Sequence, residues 1–140
     1  MKKFQLTVTE RQLILIAECV EDCHRFMAGQ YELHNMTSRL DAFHEIQDTL
    51  KDTKPLVTPH LPIGASYGWN GGSCPDEHQR KFIAETYPIY REIYHFLALE
   101  RGLQNTYTSK TLTCDEGGEP IKIKKRIYER TKKKNDRKGE

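Results

Sequence analysis

Residues 4–12, FQLTVTERQ, decide the class of fold. Phe4, Leu6 and Val8 alternate with Gln5, Thr7 and Thr9, the period-two pattern of a strand with one buried face. The next residues then match a helix start. Thr9 can accept from the backbone amide of Gln12 while the Gln12 side chain reaches back, a capping box. Far downstream, Thr111–Cys114 and Ile121–Ile123 flank DEGGEP, which reads as a hairpin turn. Together these segments predict an α+β fold, a small antiparallel sheet made of the N-terminal strand and the C-terminal hairpin, packed on two or three helices.

The helix that starts at Thr9 carries Leu13, Ile16, Ala17, Val20, His24, Met27 and Tyr31 along one stripe, with Leu15, Cys19, Cys23 and Phe26 beside it. That arc is wider than one packing face needs, so the helix is expected to touch the sheet on one side and another helix or subunit on the other. A homo-oligomer follows as an expectation. Leu40, Phe43, Ile46, Gln47 and Leu50 support a second helix over about 37–51. A third is expected over about 76–101, stopped by Gly102 and kinked or broken near Tyr87 by Pro88. Between them, residues 52–75 contain four prolines and four of the nine glycines, which leaves an irregular loop.

The net charge of +2 hides an asymmetry. Lys124–Glu140 holds nine bases and three acids, whereas residues 1–123 hold 13 bases and 17 acids. The domain is therefore expected over 1–124, mildly acidic, followed by a basic, poorly ordered tail over 125–140. An acidic body argues against a dedicated DNA-binding face, so nucleic acid is expected to interact only weakly, through the tail. Neither a charged-then-apolar leader nor a membrane-spanning apolar run stands out, which predicts a cytoplasmic protein with no membrane partner and reduced thiols at Cys19, Cys23, Cys74 and Cys114.

Motifs of catalysis are missing. His44-Glu45 has no second histidine at metalloprotease spacing, no phosphate loop ends in Lys-Ser or Lys-Thr, and His60 near Ser66 or Cys74 is a generic pairing. No catalytic residue, cofactor or metal is assigned. Cys19 and Cys23, four apart on one helix face with His24 next in sequence, invite a zinc site but lack knuckle spacing, so they read as small buried hydrophobes.

Binding chemistry concentrates in CHRFMAGQYELHN, residues 23–35. Read as helix interior, Gly29 is costly, and one turn after Arg25 it would open space for a planar or phosphorylated ligand beside the Gln30 amide. Glu21 four residues before Arg25 allows the plainer reading of a surface ion pair worth a few tenths of a kcal/mol. The segments SYGWNGG, with Tyr67, Trp69 and Asn70, and TYTSK, with Tyr107 and Lys110, are placed to complete a pocket.

The order of these segments, VTERQ, acidic residues before RFMAGQ, then YGW, ETYPIYREIYHFL and GGEPIKI, resembles a family of small proteins carried by tailed phages that show an Arg-x-x-x-Gly-Gln step, here Arg25, Gly29 and Gln30. That group is similar to the Thoeris anti-defence sponges, which capture cyclic ADP-ribose isomers made by TIR-domain immune enzymes. The resemblance spans about residues 4–123 and departs from the pattern at Phe26, Met27 and Lys110, where members carry arginines. It implies a phage protein acting in the infected bacterial host, a dimer or a hexamer built from dimers, and pockets between subunits. It also implies a second site for cyclic oligonucleotides. Tyr67, Trp69 and Tyr107 would face adenine, and Arg25, Arg91 and Lys110 the pyrophosphate.

Two other classes compete with a nucleotide sponge: a protein-interaction module that inhibits a host enzyme, and a nucleic-acid-binding accessory protein. Deleting residues 126–140 is expected to leave folding and ligand capture intact while abolishing salt-sensitive adhesion to nucleic acid, as read by thermal melts and filter binding. Loss of capture would make the tail part of the pocket.

Overall fold

Thr9 and Gln12 form the capping box that their spacing requires, with Gln12 N donating to Thr9 Oγ1 at 3.1 Å and Thr9 N to Gln12 Oε1 at 2.9 Å. From that cap runs α1 (Glu10–Met27), the first of five helices in a computed structural model that describes residues 1–57, 60 and 67–127. The others are α2 (His34–Thr37), α3 (Phe43–Asp52), α4 (Lys54–Val57) and α5 (Glu77–Glu100), with 3-10 turns at Thr106–Thr108 and Asp115–Gly117. No helix among the described residues is long and apolar enough to cross a membrane.

The body of the protein is α1 laid antiparallel against α5. Arg101 Nε meets Glu10 Oε1 at 3.1 Å at one end, and Gln79 Nε2 donates to Met27 O at 2.6 Å at the other. Ala17 is fully buried where the two helices meet, in a cluster with Tyr90, Ile93 and Leu97, and its lack of bulk lets the backbones approach. A second cluster joins Ala28, Tyr67, Cys74 and Ile83 over the first turns of α5.

The expected sheet is absent: the described residues contain no strand, and the fold is helical rather than α+β. Phe4 and Leu6 are 90% and 78% exposed, so the alternation at the N-terminus finds no face to bury against. At the C-terminus, DEGG forms the second 3-10 turn instead of a tight hairpin, and Ile121 and Ile123 pack on the α1–α5 core. Side chains that a strand would use against a neighbouring strand are spent on helices instead. An exposed ion pair, Lys3 Nζ to Glu119 Oε1 at 2.7 Å, links the N-terminal segment to this region.

The second helix is also shorter than its periodicity suggests. Thr37 Oγ1 donates to Leu33 O at 2.9 Å and Ser38 Oγ to His34 O at 2.5 Å, hydroxyl bonds to the preceding turn that compete with helix continuation. The helix resumes only at Phe43.

By contrast, α5 runs unbroken through Pro88. Proline has no N–H for the carbonyl of Ala84, four residues earlier. That oxygen accepts instead from the Cys114 thiol at 3.4 Å. Burial pushes the thiol above its ordinary pKa, which keeps the proton it donates. Gly117 lies so near that a Cβ there would sit 2.5 Å from the same oxygen. Gly117→Ala is therefore expected to lower stability by about 1–3 kcal/mol in chemical denaturation, the usual cost of overpacking; an unchanged midpoint would mean that the turn does not dock at this carbonyl.

Candidate functional site

The Arg-x-x-x-Gly-Gln step is a helix stop. With Ala28 as C-cap, Gly29 takes φ 92, its N–H bonds Phe26 O at 3.0 Å, and Gln30 N–H bonds Arg25 O at 2.8 Å. These are the two reversed bonds of a Schellman motif, in which a residue with positive φ after the C-cap is usually glycine. Gly29 is therefore not inside a helix, and its conformation is explained without a ligand. The positions flanking such a stop are commonly apolar; here they are Arg25 and Gln30, and Arg25 Nη1 donates to Gln30 Oε1 at 2.9 Å. The motif ends α1 while holding a guanidinium and an amide side by side.

Arg25 also has a stronger partner than a surface bridge. Glu21 is 6% exposed, and its Oε2 receives Arg25 Nε at 3.3 Å and Nη2 at 3.2 Å. Glu21 Oε1 receives Asn35 Nδ2 at 2.7 Å and the Tyr94 hydroxyl at 3.3 Å. Burial disfavours the Arg25 charge, but the Glu21 carboxylate outweighs it and raises the pKa. The neighbouring Asp22 carboxylate accepts from Asn35 N at 3.0 Å and Met36 N at 2.9 Å, so α1 caps α2 from outside. Leu33 can then hold its left-handed conformation, φ 50, at the α2 start.

On α5, Tyr87, Tyr90 and Tyr94 recur at helical spacing and form a continuous run of rings. Centroids lie 5.4 Å apart for Trp69–Tyr87, 5.6 Å for Tyr87–Tyr90, 6.0 Å for Tyr90–Tyr94 and 4.8 Å for Tyr94–Tyr107. Tyr107 is fixed by the turn that carries it. Arg91 Nη2 donates to Thr106 O at 2.8 Å, His95 Nδ1 donates to Tyr107 O at 2.7 Å, and the Arg91 guanidinium lies 4.6 Å above the Tyr107 ring. Burial, followed by the charge of Glu21, pushes the hydroxyls of Tyr90, Tyr94 and Tyr107 upward in pKa, so all three remain protonated. Past Tyr94 and Tyr107 the surface opens into a groove of about 270 Å³ floored by Ile14 and Leu97 and edged by Glu18 and Asn105.

Five of the expected binding residues, Arg25, Gln30, Trp69, Arg91 and Tyr107, belong to this connected face. The rest lie apart. Tyr67 is buried in the second core cluster, Asn70 Oδ1 closes its own turn by accepting from Gly72 N at 3.0 Å, Gly29 shapes the helix end, and Lys110 is exposed beyond the 3-10 turn. Glu21, Asn35, Tyr87, Tyr90 and Tyr94 were not among the expected residues; the spacing of the tyrosines along α5 was the available signal. Cys19 and Cys23 are exposed, which overturns their reading as buried hydrophobes. Ser66 lies outside the described residues, and Cys74 is buried with its thiol 3.7 Å from Asp76 O.

His24 anchors the back of the tyrosine run. Its Nδ1 donates to Ile83 O at 3.1 Å, lies 3.0 Å from Thr86 Oγ1, and its ring sits edge-on to Tyr90 at 5.3 Å. Burial lowers its pKa from 6.5 to about 4. A depressed histidine stabilises the fold above its unfolded pKa, because below it the unfolded chain takes up a proton that the native state refuses. Stability should thus fall between pH 6.5 and about 4, by roughly 1.4 kcal/mol per pH unit and on the order of 3 kcal/mol in all. Denaturation across this range, with the imidazole followed by NMR, checks it; a titration midpoint near 6.5 in the folded protein would remove the effect. Compared with models of protein families, with characterised proteins and with solved structures, the chain matches none.

Proposed function

We propose that the chain is a binding protein that captures a nucleotide on the face from Trp69 to Tyr107 and does not turn it over. One observation carries this reading: five aromatic rings run continuously along α5 with the guanidiniums of Arg25 and Arg91 beside them. Flat rings suit a base, and guanidiniums suit a phosphate. Arg25 commits one N–H each from Nε, Nη1 and Nη2 to Glu21 and Gln30, which leaves part of its five-donor fork for a ligand. Protonated tyrosines and a histidine held neutral by burial are suited to donating hydrogen bonds rather than moving protons.

Together with the resemblance to the Thoeris anti-defence sponges, this chemistry favours a cyclic ADP-ribose isomer, whose adenine and pyrophosphate match the two halves of the face. Cyclic oligonucleotides are a related candidate for a second site. Sequestration would take place in the cytoplasm of an infected bacterium. A homo-oligomer, dimer or hexamer, would complete the pocket, with residues such as Lys110 supplied by a neighbouring copy.

The test is capture followed by release. After exposure to a TIR-enzyme reaction, the heat-denatured protein should yield the cyclic nucleotide intact by chromatography. Recovery of a hydrolysed product would make it an enzyme, and stable retention of a host protein with no small molecule would favour an interaction module. In titration calorimetry Trp69→Ala and Arg91→Ala should each weaken capture by about 1–3 kcal/mol, roughly ten- to a hundredfold. Arg25→Ala is the poorer variant because it strands the buried Glu21 carboxylate, so Arg25→Lys is used to keep the charge. Wild-type affinity in all three would remove this face from binding.

A further inference from the structure

Cysteine is seldom left in solvent, yet α1 exposes two. Cys19 and Cys23 are both exposed, four residues apart and therefore on one face of the helix. Beside them Leu15 is exposed as well, whereas Ile16 and Val20 on the inner border of this flank pack against the α1–α5 core and Phe26 against Tyr31. This side of α1 is turned away from Glu21 and Arg25, so it is separate from the aromatic face, and the Glu18–Arg39 ion pair borders it.

We infer that Cys19 and Cys23 bind a thiophilic divalent cation, zinc by its chemistry, in a four-thiolate site completed by the same two cysteines of a second copy of the chain. Ligand number sets the occupant of this flank. Two thiols one helical turn apart can reach a common ion, but a structural zinc takes four ligands in a tetrahedron. Among the described residues no third histidine, cysteine, aspartate or glutamate joins them. A two-fold axis crossing the exposed side of α1 midway between the two cysteines supplies the missing pair, since it sets Cys19 opposite Cys23 of the partner subunit and Cys23 opposite Cys19 of the partner subunit. Such an isologous pairing closes on itself and covers the exposed thiols in the same step.

Charge and protons balance. Each of the four thiols releases one proton to solvent, and the zinc–thiolate group carries a net charge of 2−. Arg39, ion-paired with Glu18, lies within electrostatic reach of Cys19, so one guanidinium–carboxylate pair from each subunit borders the site.

The full-length chain, kept reduced with a non-thiol reductant, tests this with zinc chloride and cobalt chloride as probes. Light scattering and metal analysis should give a dimer holding one zinc per two chains. The cobalt form should show sulfur-to-cobalt charge-transfer absorption together with tetrahedral d–d bands. Cys19→Ser and Cys23→Ser should each abolish metal-dependent dimerisation. Because both side chains are exposed, circular dichroism should show unchanged helicity, and this separates loss of the metal site from loss of the fold. One zinc per monomeric chain, dimers of equal stability in the serine variants, or no metal retained after desalting would each overturn the inference.

Discussion

The carboxylate of Glu21 is the contact on which the rest of the site depends. It is buried in the seam between α1 and α5, where an unpaired charge would be untenable. Three elements are therefore drawn to it: Arg25 from the last turn of α1, Asn35 from α2 and Tyr94 from α5. A well-satisfied buried ion contributes little net stability, but removing one partner leaves the desolvation cost standing, and this asymmetry fixes the geometry. The same asymmetry preorganises the guanidinium: Arg25 already sits, half-exposed and oriented, beside Tyr90 and Tyr107 before any ligand arrives.

Such polar wiring matters in a chain with a thin core. The fully buried side chains are few, Ala17, Ile83 and Ala84 among them, and α3 buries none of its residues. Specific contacts then decide register where bulk packing does not. Asp22 fixes the start of α2, Gln79 fixes the end of α1 against α5, and His24 locks Ile83 and Thr86 of α5 to the last turn of α1.

Local signals were legible in the sequence, and non-local ones were not. The Thr9–Gln12 cap, the long α5 and the stop at Gly102 follow from rules spanning four residues or fewer. The N-terminal alternation Phe4–Leu6–Val8 was misleading for a physical reason: period two says that alternate side chains differ, whereas a strand also needs an edge to pair with and a face to pack on. Among the described residues neither is present. Arg25, Gln30, Trp69, Arg91 and Tyr107 could be found because each is a conspicuous residue type in a conspicuous place. Glu21 could not, because its burial depends on Tyr94, 73 residues away. Gly29 was noticed correctly as an anomaly but placed wrongly inside a helix, since it follows the C-cap of α1 in a motif defined by two backbone bonds.

Pro88 shows how a local defect can position a distant site residue. By removing the donor for the Ala84 carbonyl it creates an acceptor on the surface of α5, and the segment after Arg101 docks there through Cys114 and Gly117. Earlier in the same segment, Arg91 and His95 hold the carbonyls of Thr106 and Tyr107. The chain between Gly102 and Gly117 is thus pinned to α5 at two places, and Tyr107 lies in the inner one with its ring between Arg91 and Tyr94. A side chain on a short 3-10 turn would ordinarily be a poor platform for a base, because its turn has little structure of its own. Fastened at both points to a continuous helix, it takes on the rigidity of α5, and the part-exposed rings of Trp69, Tyr87, Tyr94 and Tyr107 are joined through the buried Tyr90.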